Sequence, residues 1–180
     1  SYAYQWKLAG DIVSGATAPT WTVGPDAVGK TVTVDVTATK SGYAPITDVS
    51  PATAAVATGP LSASVKPTIT GTAQVGSTLT ATTGTWSQTG LTYTYQWTSD
   101  GETIAGATAS TYSPAAPDVD HHLAVNVTAA KTGYGPFVST SNTTDTVISG
   151  TFSLSAPPSI TGTAKVGSKL TLKSGTWTSS

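Results

Sequence analysis

The chain has 180 residues, room for one large domain or two small ones. Charged residues make up only 9% and the formal net charge is −1, so no basic field draws nucleic acid or an anionic membrane, and neither is expected as a partner. Cysteine is absent, which excludes disulfides and thiolate metal sites; no apolar run approaches a membrane span, and any signal peptide is expected outside this segment.

The first predicted element is a strand over Tyr2-Ala3-Tyr4-Gln5-Trp6, whose alternation puts Tyr2, Tyr4 and Trp6 on one face. The same pattern returns as Tyr93-Thr94-Tyr95-Gln96-Trp97, ninety-one residues later. At that offset the chain matches itself without a gap. Gly15-Ala16-Thr17 meets Gly106-Ala107-Thr108, Val36-Thr37-Ala38 meets Val127-Thr128-Ala129, and Gly42-Tyr43 meets Gly133-Tyr134. Further on, Ile69-Thr70-Gly71-Thr72-Ala73 meets Ile160-Thr161-Gly162-Thr163-Ala164, and Gly84-Thr85-Trp86 meets Gly175-Thr176-Trp177. About 39 of 89 overlapping positions are identical. Self-similarity at a fixed period is the signature of a module array. One full period is expected over 60–150. Residues 1–59 then read as the C-terminal part of a preceding module, and 151–180 as the N-terminal part, its first two strands, of a following one.

Along the complete copy, strands are predicted at Ser62–Val65, Leu79–Thr83 and Tyr93–Thr98. A hairpin turn of the Asp-Gly type follows at Ser99-Asp100-Gly101. Brief strands follow at Thr103–Ala105 and Thr111–Tyr112. A longer one puts Leu123, Val125, Val127 and Ala129 on one face, and Phe137–Ser139 and Thr144–Ile148 form the last strand region. No stretch carries helical spacing with caps. About seven short strands with turn signals roughly every ten residues predict an all-β fold, an antiparallel β-sandwich with a thin core. Tyr4, Trp6, Tyr95 and Trp97 are the expected core aromatics.

From Pro67 to Tyr134 the chain carries an ordered set of motifs. They are Pro67, Ile69, Gly71, Val75, Gly76 and Leu79, then Gly84-Thr85-Trp86, then Tyr95-Gln96-Trp97, then Gly101, Ile104 and Gly106-Ala107-Thr108, then Val127-Thr128-Ala129 and Gly133-Tyr134. This set resembles the bacterial immunoglobulin-like repeats of large secreted and cell-surface proteins, and the resemblance covers essentially the whole chain. It implies tandem immunoglobulin-like sandwiches and an extracellular or cell-surface location. Such repeats look like spacers carrying other domains. Trp97 would be the aromatic of the third strand, buried against the core. The disulfide of antibody domains is absent, and Leu123 stands near where a corner tyrosine would be expected.

Few residues propose chemistry. His121-His122 are adjacent, so on a strand they point to opposite faces and do not converge on a metal; solvated positions at a turn or strand start are expected. Asp118 and Asp120, with Asp26 near the corresponding place in the first copy, read as turn caps, since no Ca²⁺-loop spacing surrounds them. Trp86 and Trp177 follow Gly-Thr at strand ends and are the candidates for stacking on a glycan. An internal isopeptide link would use Lys131 with Asn126 or Asn142, although the first copy holds Asp35 and Pro51 at the two Asn positions. Asn126 and Asn142 also match the glycosylation pattern. No nucleophile elbow, paired carboxylates or phosphate loop is present, so neither catalysis nor a cofactor is expected.

The expected function is therefore a structural stalk or spacer repeat, with neighbouring copies or adjacent repeats as partners. The complementary phase of 1–59 and 151–180 suggests head-to-tail strand complementation between copies. The alternative is an adhesin-type module binding surface glycans through exposed rings.

Overall fold

A computed structural model describes residues 1–179. It is all-β: short strands in antiparallel ladders, with two single-turn 3₁₀ segments and no α-helix among the described residues. The chain divides into two compact units. One comprises Ser1–Ser62 with Gly90–Thr92 and Ala130–Phe137; the other comprises Ala63–Thr89, Tyr93–Ala129 and the chain from Val138 on.

In the first unit, β1 (Tyr2–Leu8), β2 (Asp11–Ile12), β3 (Val32–Ala38) and β4 (Ile46–Val49) form one sheet in the order β2-β1-β3-β4. The hairpin between β1 and β2 turns on Ala9 and Gly10, both at positive φ (+50° and +93°). That conformation matches the right-handed twist of the flanking strands. Tyr4 stands opposite Val36 and Trp6 opposite Val34, so the aromatic and valine rows share one face. The 3₁₀ turn Pro25–Ala27 precedes β3 and buries Ala27. Val32 at the head of β3 is buried, whereas Tyr4, Trp6, Val34 and Val36 are only half-buried.

The second unit carries, apart from the end residues Thr92, Ala130 and Phe137, the strands β5 (Ala63–Val65), β6 (Ile69–Thr70), β7 (Leu79–Ala81), β8 (Thr85–Trp86), β9 (Thr92–Ser99), β10 (Glu102–Thr103), β11 (Thr111–Tyr112), β12 (Leu123–Ala130) and β13 (Phe137–Thr140). They form sheets of order β10-β9-β12-β13 and β11-β7-β6, plus the pair β5-β8. Both larger sheets feed one core. Leu79 and Ala81 of β7 meet Trp97 of β9 and Leu123, Val125 and Val127 of β12, with Val147 closing the cluster. Two sheets sharing one apolar interior is the layered arrangement of a sandwich. The Trp97 ring stacks on Tyr112 with centroids 5.5 Å apart, and Trp97 is fully buried.

The structure differs from the sequence expectation in two places here. The region Thr144–Ile148 is not a strand; it makes only isolated bridges, Gln74 with Ile148 and His122 with Thr146. Hydroxyls take over part of the ladder: the N–H of Val125 donates to Ser141 Oγ (3.0 Å) and that of Leu123 to Thr144 Oγ1 (3.1 Å). In addition, β6 and β8, two residues each, were not foreseen, because so short an element has no period to read.

The remaining strands are β14 (Phe152–Ala156), β15 (Ser159–Thr161), β16 (Thr171–Lys173) and β17 (Thr176–Ser179). They form two ladders, β14-β17 and β15-β16. The two strands expected for this stretch, counterparts of Ser62–Val65 and Leu79–Thr83, correspond to β14 and β16; β15 and β17 are additional short strands, like β6 and β8 of the middle copy. Pro157-Pro158 separates β14 from β15, since proline cannot donate to a ladder. Gly175 separates β16 from β17 at φ +79°, where a Cβ would overlap the Ala156 carbonyl. Phe152, Ile160, Leu170, Leu172 and Trp177 are all exposed.

Candidate functional site

Each tryptophan candidate is held by a bond from its own indole N–H to a carbonyl. Trp86 donates to Thr83 O at 2.7 Å, and Trp177 to Ser174 O at 3.1 Å. Trp86 is half-buried, and its ring meets Tyr93 at 5.9 Å with planes 50° apart. Trp177 is 55% exposed and lies opposite Leu154.

The four core-aromatic candidates split. Trp97 is fully buried and donates to Ala109 O at 2.9 Å. Tyr95 packs half-buried against the same core. Tyr4 is half-buried, and so is Trp6, which donates to Ala18 O at 2.9 Å and tilts against Trp21 at 6.1 Å. Alternation turns Gln96 to the face opposite Tyr95 and Trp97. Its amide in fact clamps a loop, donating to Trp97 O at 2.9 Å and Ile104 O at 2.8 Å. Gln5 does the same with Trp6 O at 3.0 Å and Val13 O at 2.9 Å. The available signal was that the glutamine before the tryptophan stands in both copies.

Of the polar candidates, His121, His122 and Asp118 have local partners. His121 Nδ1 lies 2.7 Å from Asp100 Oδ2, and Asp100 Oδ1 accepts from the backbone N–H of His122 at 2.9 Å. The hydrogen bond to Asp100 raises the His121 pKa; bonds from His121 and His122 lower that of Asp100. The His122 ring bonds instead to Thr144 O at 3.0 Å. The two histidines do not converge, and among the described residues no group of three or more His, Cys, Asp or Glu could hold a metal.

Asp118 is buried. Its Oδ2 accepts from the Ala115 N–H at 2.8 Å, capping the 3₁₀ turn Ala116–Asp118, and from the Tyr112 hydroxyl at 2.7 Å. Desolvation, then this bond, pushes the Tyr112 hydroxyl up to about 12. Asp120 sits at φ +69° in the following turn. In the first copy Asp26 stands at the second position of the turn, and its N-cap makes no side-chain cap bond, so the capping expected of Asp26 is not seen there.

Of the isopeptide candidates, Lys131 and Asn126 meet other groups. The Lys131 ammonium lies over the Tyr134 ring, 5.4 Å from its centroid, and Asn126 Oδ1 accepts from Thr140 Oγ1 at 2.7 Å. An ion pair that sequence reasoning missed joins Lys7 Nζ to Asp35 Oδ2 at 2.7 Å, one rung diagonal on β1 and β3. These arrangements orient loops and close turns. None sets an activated nucleophile beside a base and an orienting group.

No protein-family model, curated protein or solved structure matches the chain.

Proposed function

We propose that the chain belongs to a structural stalk or spacer built from immunoglobulin-like modules in tandem, as part of a secreted, cell-surface or fibre protein. The observation that carries this reading is that side-chain geometry repeats with the sequence. Trp6 and Trp97 each reach a carbonyl twelve residues on at 2.9 Å. Ser64 and Ser155 each donate to the carbonyl twenty-one residues on, at 3.2 and 3.0 Å. Gly71 and Gly162 share a φ near +115°. One module design used repeatedly, with few charges and no convergent reactive groups among the described residues, suits a mechanical role, in which stacked sandwiches give reach and short links limit bending.

The same reading names the partners: neighbouring copies, joined by strand complementation. Leu79 and Ala81 of the middle copy bury themselves against Trp97, Leu123, Val125 and Val127. The counterparts of the first set, Leu170 and Leu172, are exposed at 49% and 69%. Those of the second include Trp6, Val34 and Val36, which are half-buried. Residues 151–179 of one copy would cover the β1-β3 face of the next. Sedimentation equilibrium across a dilution series tests this. Average mass should rise with concentration, and Leu172→Asp should return the chain to a monomer. A compact monomer at every concentration would refute complementation.

One observation favours the second reading, glycan or surface binding: the half-exposed Trp177 indole. A glycan array with Trp86→Ala and Trp177→Ala decides it. A signal lost in both variants favours binding, and no signal at all removes it.

A further inference from the structure

The turn Lys131-Thr132-Gly133-Tyr134 does more than reverse the chain; it holds a second segment. The Gly59 N–H donates to Gly133 O at 2.8 Å, and the Gly59 carbonyl accepts from the Gly135 N–H at 3.1 Å. Gly59 thus forms a one-rung parallel bridge beside Tyr134. The fit depends on small residues. A Cβ on Gly59 would stand 2.8 Å from the Tyr134 ring, and one on Gly133 would stand 2.6 Å from the Cβ of Pro25. Thr58 Oγ1 lies 3.6 Å from where a Gly135 Cβ would be. Lys131, Gly133, Tyr134 and Gly135 are correspondingly half-buried.

Ninety-one residues earlier the turn Lys40-Ser41-Gly42-Tyr43 has the same shape. Gly42 sits at φ +81° against +85° for Gly133. The Lys40 ammonium lies 5.1 Å from the Tyr43 ring centroid, as Lys131 does over Tyr134. Its surroundings differ. Tyr43 and Tyr2 are each 70% exposed, Ile46 is 71% exposed, and a Cβ on Gly42 would meet nothing within 4 Å. An open groove of about 420 Å³ runs past Tyr2, Ala38, Lys40, Tyr43, Ala44 and Ile46. Three large apolar side chains exposed together on a chain of low charge mark an interaction surface.

We propose that the Tyr43 turn is the docking site for Ser149-Gly150 of a second copy of this chain. These two residues are the counterparts of Thr58-Gly59, and Gly150 keeps the glycine that close approach to a tyrosine ring requires. Val147 and Val56 anchor the two segments alike: the Val147 N–H donates to His121 O and the Val56 N–H to Lys30 O, each at 2.9 Å. The backbone groups that would pair are those of Gly42, Ala44 and Gly150. The inference rests on the tandem-module reading and adds to it a specific contact that fixes how one copy follows another.

The chain has no cysteine, so disulfide trapping reports the contact directly. Chains carrying Ala44→Cys are mixed with isotope-labelled chains carrying Ser149→Cys, and the mixed dimer is identified by mass after mild oxidation. The internal pair Thr58→Cys with Gly135→Cys, in one chain, is the geometric control and should close within the molecule. The expected result is a mixed disulfide whose yield falls at least tenfold when Tyr43→Ala is added to the first chain or Gly150→Val to the second. Both sites are exposed, so neither change disturbs a core. A mixed product indifferent to both substitutions overturns the docking. So does its absence from chains that sediment as oligomers, and that outcome leaves the stalk reading standing. Chains that neither cross-link nor associate remove the docking and the complementation together.

Discussion

Trp6 and Trp97 occupy the same place in two copies and make the same 2.9 Å bond, yet they should differ sharply in what their removal costs. A large aromatic side chain that is fully buried withdraws about 200 Å² from water, at about 25 cal/mol per Å². That is an upper figure of about 5 kcal/mol, reduced by residual compaction of the unfolded chain. Trp97 is fully buried and stacked on Tyr112, so Trp97→Ala should cost about 4 kcal/mol, in the range found for aromatic truncations in cores. Trp6 is half-buried, and Trp6→Ala should cost about half as much. A domain the size of the middle copy is stable by on the order of 5–13 kcal/mol, so the first change removes a large share and lowers its melting temperature by about 20 °C. Native-state amide exchange at β12 and at β3 reads the two copies separately in one sample. Equal losses in the two variants, or a loss below about 1.5 kcal/mol for Trp97→Ala, would refute the argument that the middle copy's core is closed while the β1-β3 face is covered only in part.

Further predictions concern titration and turn conformation. The Asp100–His121 pair stabilises within a window. The His121 pKa is raised above 6.5, so its contribution is complete below that pH and lost as pH rises through the raised value. The Asp100 pKa is lowered below 3.8, so its contribution is present above that pH and lost as pH falls through the lowered value. Asp100→Asn should move His121 back towards 6.5 in an NMR titration; no movement of His121 would contradict the contact. Tyr112, pushed from 10.0 up to about 12, stabilises the folded state fully below pH 10 and loses that contribution as pH rises towards 12. Phenolate absorbance should show one tyrosine ionising late, absent in Tyr112→Phe, which should also cost about 1 kcal/mol for the lost bond to Asp118. Ala9 holds φ +50°, where its counterpart Asp100 holds +46°. Asn tolerates that region better than Ala, so Ala9→Asn should stabilise the β1-β2 hairpin by about 0.5 kcal/mol, read as slower exchange of the Val13 amide.

What was legible in the sequence followed from period and from turn chemistry. Alternation identified the buried row Leu123, Val125, Val127 and Ala129, and Asp100-Gly101 identified the hairpin. The all-β class rested on the same two signals. What was not legible lay in contacts between segments distant along the chain. The Tyr112–Asp118 bond, the Gln96 clamp and the hydroxyls of Ser141 and Thr144 depend on which loops fold over which strands, and no local pattern encodes that. The end of β14 was readable from Pro157-Pro158, whereas β15 and β17 were too short to show a period. The binding candidates rested on residue type alone, and type does not distinguish Trp86, tilted against Tyr93, from Trp177 at the surface. The Tyr43 groove was unreadable for a further reason: it becomes apparent only when its exposed side chains are set beside the covered ones of Tyr134.

The central claim is that residues 60–150 form one module of a repeated design. Its most direct test is thermal and urea unfolding of 60–150 produced alone, with amide exchange of β9 and β12. The account predicts a single cooperative transition and protection of Trp97 and Val125 equal to that in the full chain. A 60–150 chain with no transition and unprotected β12 amides would contradict it.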